Sequence, residues 1–212
     1  DLMTEGKADT MYELVNKPVI CRCGTECIVK IFKDQWFIDY GKPEWKALAH
    51  KCLEQMSIQP EELRLEFNYV IDWLHEKACA RKSGMGTRLP WDPEWIIESL
   101  SDSVIYMAYY AIIKHVKKYS LLPTQLTDEV FDYVLLGIGK PEEVAKEANV
   151  KPSLLEEMHR EFMHFYPLDS RHSGRDLVPN HLTFMIFIHT AIFPQNLWPR
   201  QIATNGHVMM EG

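Results

Sequence analysis

The chain reads as an α/β protein. Short β-rich runs alternate along it with stretches of helical periodicity. A polar, Gly-containing stretch, His172-Ser173-Gly174-Arg175-Asp176, runs through Leu177-Val178-Pro179-Asn180-His181 into an apolar helix at 182–193. No repeat or low-complexity tract interrupts the alternation.

Composition bounds the answer further. Its 212 residues suffice for one large domain or two small ones, and 46% hydrophobic with 25% charged residues is ordinary for a globular protein. The net charge of −7 makes the whole chain a poor polyanion binder, so any nucleic-acid contact must be local. The longest apolar run, Leu182 to Phe193, is broken by Thr183, His189 and Thr190 and is too short for a bilayer. No signal peptide is visible at Asp1. Five cysteines, an odd number, point to a reducing, cytoplasmic setting rather than a disulfide framework. With no initiator Met, the chain reads as a fragment.

Residues 1–17 are polar around one amphipathic patch, Met11 to Val15. Pro18–Cys21 and Cys27–Ile31 form an expected hairpin about a Gly-Thr turn, and Asp34 to Tyr40 a further strand closed by Gly41. From Pro43 to Leu74 the pattern is helical. Trp45, Leu48, Ala49 and Cys52 share one stripe, and a second helix runs from Pro60 through Leu63, Phe67, Val70 and Ile71. Both stripes are read as core.

Residues 80–93, with two glycines and two prolines, read as a loop. Ile96 to Ser101 follows as a strand, then a helix over Ser103–Val116 capped by Asp102 or Ser103. Residues 123–165 are helical: Thr127 caps one helix, Pro141 opens another, and Ser153 with Glu156 forms a capping box. Asn205-Gly206 is a turn ahead of His207 to Met210.

Four constellations carry chemical interest. Cys21, Cys23 and Cys27 suggest zinc, but structural zinc needs two spaced pairs and the second is missing, so packed cysteines are preferred. Arg81, Lys82 and Arg88 around Gly84 and Gly86 could hold phosphate or simply be a solvated loop, and charge alone does not decide. Ser103 and Tyr106 are three apart and share a helix face; the residues alone favour a cap and a core tyrosine over a pocket rim. The start of the helix after Gly174 offers free N–H groups to an anionic or sugar-bearing ligand. There Asp176 lies just ahead of the first turn and His181 near the same mouth.

Several stretches together resemble the leucyl-tRNA synthetases of archaeal and eukaryotic cytosolic type. They are Cys27 to Gly41, Ala78 to Trp91, Trp95 to Ala108, Ser173 to Leu182 and Trp198 to His207, in family order over nearly the whole chain. The resemblance implies a class I synthetase whose Rossmann-type catalytic domain is interrupted by an editing domain. Residues 1–41 would be a small β-rich connector returning from that insertion and 42–95 a helical connective segment. Residues 96–212 would be the second half of the catalytic domain, with a helical insertion at about 123–165. The family signatures His-x-Gly-His and Lys-Met-Ser-Lys-Ser, which stabilise the ATP phosphates, do not occur in the chain. The fragment itself is therefore expected to be inactive.

By the same resemblance, Ser103 and Tyr106 line the leucine and adenylate pocket, Leu177 forms part of its wall, and His181 bounds the leucine side chain. Gly174 and Asp176 hold the adenosine ribose, while Asn205 and Gly206 pass the adenine. Activation is attack of the leucine carboxylate on the ATP α-phosphate, which needs positioning and charge neutralisation rather than a general base. No catalytic side chain and no metal ligand is therefore named. ATP with Mg2+ is the implied co-substrate, zinc is disfavoured, and leucine, tRNA(Leu) and the remaining domains of the synthetase are the implied partners, with no membrane. Two alternatives stand beside this: an isoleucyl-, valyl- or methionyl-tRNA synthetase fragment, and a non-enzymatic zinc-supported binding module on the cysteines.

Overall fold

A computed structural model describes residues 2–15, 18–29, 31 and 34–206. The chain divides into two compact units, 1–35 and 36–212. Among the described residues no helix is long and apolar enough to cross a membrane.

In the first unit the backbone reverses around Gly24, whose φ of 82° favours glycine. Cys21 N–H donates to the Thr25 carbonyl at 2.9 Å and Cys27 N–H to that of Val19 at 2.8 Å. Ile20 and Glu26 form a single antiparallel bridge. The expected hairpin is thus reduced to one bridge, and Lys30 within its second arm lies outside the described residues.

The second unit opens with strand β1 (Phe37–Asp39), helix α1 (Pro43–Gln55), strand β2 (Ser57–Gln59) and helix α2 (Leu63–Trp73). Pro43 begins α1 at a position where its missing N–H costs nothing. The helical reading of 43–74 overlooked β2, because one apolar residue between two polar ones is too short a pattern to register. Within the predicted stripe Ala49 and Cys52 are buried, but Leu48 is exposed.

Strands β3 (Glu76–Ala78), β4 (Ala80–Arg81), β5 (Arg88–Leu89) and β6 (Asp92–Ile97) follow. β1 pairs antiparallel with β3, and β6 lies between β4 and β5 in an antiparallel sheet. Residues 80–93 are therefore a strand-bearing hairpin, not a loop. Gly86 is needed in it, since φ is 157° and a Cβ there would come within 2.6 Å of Ile96 Cγ2.

The strand expected to reach Ser101 stops at Ile97, and Ser99–Asp102 is a helical turn, α3. Its cap is Glu98, whose Oε2 accepts from Leu100 N–H at 2.7 Å, rather than Asp102 or Ser103 acting as caps of a longer helix. The helix expected over Ser103–Val116 is broken into α4 (Tyr106–Tyr110) and α5 (Ile113–Lys118). Ser103 and Tyr106 thus do not share one continuous helix.

The 123–165 segment is helical as expected. It holds α6 (Asp128–Phe131), continued by a wider turn, then α7 (Pro141–Glu147) and α8 (Pro152–Phe165). Thr127 sits at the start of α6 and Pro141 at the first position of α7. The Ser153–Glu156 capping box does not form, because Pro152 starts α8 one residue earlier and Lys151 precedes it.

Strand β7 (Arg171–Gly174) occupies the first part of the stretch read as a loop. After it come a tight turn (Arg175–Leu177), a wide turn (Val178–Leu182), helix α9 (Thr183–Ile192) and strand β8 (Gln201–Asn205). β8 lies between β2 and β7, parallel to both. β7 and β8 are additions to the expected elements; Asn205 of the expected Asn205-Gly206 turn is the last residue of β8, and His207–Met210 lie outside the described residues. Parallel neighbours require a crossover, and α9 supplies it.

α9 is apolar around most of its circumference and is buried over most of its length: Thr183 through Phe187, His189 and Thr190 are buried, while Ala191 and Ile192 at its end are exposed. Tyr40 stacks between Trp45, at 5.2 Å, and Phe184, at 5.0 Å. Trp45 Nε1–H donates to the Phe187 carbonyl at 2.8 Å, fixing α1 to α9. His189 Nδ1 lies 2.8 Å from the Met185 carbonyl, which can only accept, so Nδ1 carries the proton. Nε2 then accepts from the Tyr166 hydroxyl at 3.2 Å.

Two outcomes follow from this core. Tyr40→Ala should cost about 3–5 kcal/mol in denaturant unfolding, the range for large aromatic truncations. Burial lowers the His189 pKa to about 4, below the unfolded value near 6.5. Between those pH values the unfolded state binds a proton that the folded state refuses. The contribution is therefore intact above pH ~6.5 and is lost as pH falls through about 4, at up to about 1.4 kcal/mol per pH unit. Urea unfolding from pH 7.5 to 4.5 should show this decline, and His189→Gln should flatten it.

Candidate functional site

The carboxyl ends of parallel strands are where α/β sheets place ligands, because the crossover turns leave a crevice there. Gly174 and Asn205 are register partners at that edge of β7 and β8. Gly206 follows Asn205, both exposed, and Asn205 Nδ2 donates to the Gly206 carbonyl at 2.9 Å. Asp176 lies within the tight turn leaving β7, one step later than expected, with its side chain exposed. A Cβ on Gly174, at an ordinary φ of −90°, would meet Asp176 Oδ1, the free end of an exposed side chain that can turn aside. Among the described residues no hydrogen bond or ion pair engages the Asp176 carboxylate; its backbone carbonyl accepts from Asn180 Nδ2 at 3.1 Å. The carboxylate is thus not acting as a cap.

A second group lies at the far end of the same turns. His181 is 6% exposed, and its Nε2 is 3.2 Å from the Ser103 carbonyl, so Nε2 carries the proton. Nδ1 is a buried lone pair without a partner among the described residues. Burial pushes the imidazole pKa down, the hydrogen bond to Ser103 works against it, and the Arg171 charge pushes it down further. The ring is neutral at neutral pH. Arg171 stacks over Tyr106, 5.4 Å from guanidinium carbon to ring centroid. Leu177 is half-buried against the main core between the two groups in sequence. A cleft of about 520 Å3 opens beside the helix start, lined by Pro179, Asn180, Phe184, Leu74 and Leu100 among others.

The structure therefore places Gly174, Asp176, Asn205 and Gly206 at the strand ends, joins Ser103 to His181, and sets Tyr106 under Arg171. Arg171 belongs to the second group and was missed: it stands in an unrecognised strand, where nothing in the local sequence marks it.

The other two constellations are engaged internally. Arg81 Nη2 donates to the Met85 carbonyl at 2.6 Å, Arg88 Nη1 to that of Pro93 at 2.5 Å, and Lys82 Nζ sits 4.7 Å above Trp95. These cations brace the hairpin. Cys21 and Cys23 are exposed and Cys27 half-buried. Hydrogen bonding with Thr25 lowers the Cys23 thiol to about 7, whereas burial pushes Cys52 up to about 12. Among the described residues no three His, Cys, Asp or Glu side chains converge as a metal site would require.

The mixed helix and strand architecture is that of an α/β fragment, and comparison with known proteins gives the family. Leucine–tRNA ligase 2 of Saccharolobus solfataricus is 56% identical over 211 residues, covering 100% of this chain and 22% of its own length. The leucine–tRNA ligase of Pyrobaculum arsenaticum shows the same values, and that of Methanocaldococcus jannaschii is 52% identical over 212 residues, again 100% of this chain and 22% of its own. No protein-family model matches the chain. The chain belongs to the leucine–tRNA ligase family and spans about a fifth of the length of these relatives.

One outcome follows from the site alone. Gly174→Ala should turn the exposed Asp176 carboxylate aside with little change in stability, and Gly206→Ala, which meets nothing within 4 Å, should be near neutral too. Thermal unfolding should show both variants close to the parent.

Proposed function

We propose that this chain is the part of a leucine–tRNA ligase that binds leucyl-adenylate at the carboxyl edge of β7 and β8. The longer enzyme would activate leucine with ATP and transfer it to tRNA(Leu), in the cytoplasm, with Mg2+ accompanying the ATP phosphates. The parallel strands crossed by α9 support a reading of 96–212 as the second half of a Rossmann-type domain. On that reading, 1–41 is a connector, 42–95 a connective segment and 123–165 a helical insertion. The observation that carries the proposal is the unengaged Asp176 carboxylate beside the Gly174–Asn205 pair, within a chain matched end to end by leucine–tRNA ligases. The isoleucyl, valyl and methionyl alternatives and the zinc-supported module are not favoured by those relatives.

Each residue has a physical part. Asp176 accepts the ribose hydroxyls, and Gly174 leaves room for that carboxylate. Asn205 and Gly206 pass the adenine. Ser103 and Tyr106 line the amino-acid side, with Leu177 and the neutral His181 imidazole as apolar walls. An uncharged wall matters, because a charged ring against an aliphatic side chain would lose its hydration without compensation. A hydrophobic pocket separates substrates one methylene apart by only ~1–3 kcal/mol, so wall shape must supply most of the discrimination available at this site.

In the full-length enzyme, Asp176→Ala should raise the KM for ATP while leaving the protein folded, since each charge-assisted hydrogen bond lost is worth roughly 1.5–3 kcal/mol. Unchanged affinity for a non-hydrolysable leucyl-adenylate analogue would overturn the ribose assignment. His181→Ala should lower kcat/KM for leucine and narrow its preference over methionine by ~1–3 kcal/mol, because unbranched methionine adapts better to an enlarged cavity. A core role would instead depress both amino acids equally. Pyrophosphate exchange with each amino acid separates these outcomes. The isolated chain, a fifth of the relatives' length, should show no exchange.

A further inference from the structure

Tyr106 begins a five-residue helix, α4, with no side-chain cap at its start. Ile105 before it has φ −120° and ψ 0°, outside helical geometry. So short and uncapped a helix does little to fix the direction of its first side chain. Two neighbours hold the ring instead. Tyr110, one turn on, meets it at 5.0 Å and 58° but is itself exposed, while Arg171 lies over its face. Arg171 is well suited to that task. Its backbone sits in β7, in register with the fully buried Ile202 of β8, which gives the side chain a rigid origin. Its Nη1 donates to the His172 carbonyl at 3.2 Å, and its Nε is buried without a partner among the described residues, so the stem is drawn inward rather than into solvent.

Resting on the leucine-site reading above, we infer that Arg171 is a specificity-determining positioning residue: its guanidinium, lying over the Tyr106 ring, holds the phenol in place and so sets the shape of the amino-acid pocket. Arg171 acts through the ring rather than by touching substrate. A planar guanidinium over a π face is favoured over an ammonium, which lacks the flat stacking surface. The same charge also weighs against protonation of His181, reinforcing the neutral wall.

The test uses the full-length enzyme. Arg171→Met keeps the length of the stem but removes charge and planarity, and Arg171→Lys keeps charge alone. Leucine-dependent pyrophosphate exchange by Arg171→Met should show a KM for leucine raised about three- to tenfold, the scale of a partly desolvated cation–π contact. Its kcat should be little changed and its preference for leucine over methionine reduced, with Arg171→Lys between it and the parent. In a Tyr106→Ala background, Arg171→Met should have no further effect on that KM. Equal loss for leucine and methionine, a fall in kcat with KM unchanged, or full additivity with Tyr106→Ala would overturn the inference. Should Arg171→Met fail to fold, the cycle run with Arg171→Lys decides: additivity with Tyr106→Ala overturns the inference, and coupling supports it. If Tyr106→Ala itself leaves the leucine KM untouched, the leucine-site reading falls and takes this inference with it. If Tyr106→Ala raises KM and Arg171→Met does not, only the inference falls.

Discussion

The whole second unit depends on burying the first two turns of α9. A segment of that composition cannot lie at a surface, and something must cover each side of it. α9 is the crossover that joins the parallel pair β7–β8, and α2 packs against it. α1 covers one side, fixed by the Trp45 indole donating to the Phe187 carbonyl and by Tyr40 stacked between Trp45 and Phe184. Tyr166 reaches in from the chain after α8 and satisfies the nitrogen that His189 leaves free. Each polar group on α9 thereby has a partner: Thr183 donates to the Val178 carbonyl at 2.6 Å and Thr190 to that of Phe187 at 2.8 Å. Such pairing is what permits polar side chains in an apolar interior.

Placement of the candidate site follows from the same constraint. With α9 fixed, the turns that feed it from β7 cannot move, and they carry Asp176 and His181 at opposite ends. Asp176 stays in solvent at the strand edge, while His181 is drawn under Ser103. Four residues thus separate a wet carboxylate from a dry imidazole. The wide turn at Val178–Leu182 belongs to this passage, where Asn180 ties the two ends together: its amide nitrogen donates to the Asp176 carbonyl, and its amide oxygen accepts from the His181 N–H at 2.5 Å. On the proposed reading, the ribose and the amino-acid side chain fall on either side of that tie.

Much of this was legible in the chain, for identifiable reasons. Long amphipathic stretches announce themselves, so the helices near Pro43, Phe67, Pro141 and Leu182 were found. Proline at the first helical position marked two of their starts. Strands of two to five residues were the weak point, because an alternation that brief carries no period to detect. β7 was mistaken for a loop since Arg171 to Gly174 contains no β-branched or apolar residue, and its strand character comes entirely from pairing with β8. The break between Ser103 and Tyr106 was hidden by an apolar sequence that would suit an unbroken helix.

Arg171 shows where residue-by-residue reading runs out. An arginine between a serine and a histidine has no local signature. It matters only because β7 carries it to the face of a tyrosine sixty-five residues earlier in the chain. Geometry of that kind is created by sheet register: pairing Arg171 with Ile202 sets the side chain on one face, and a slip by one residue would send His172 there instead. Register in turn is held by the burial of Ile202 against the core and by β2 on the far side of β8. The packing that buries α9 therefore also decides which cation reaches Tyr106, and substitutions deep in the β2–β8 interface would be felt at the pocket through strand register rather than through any contact with ligand.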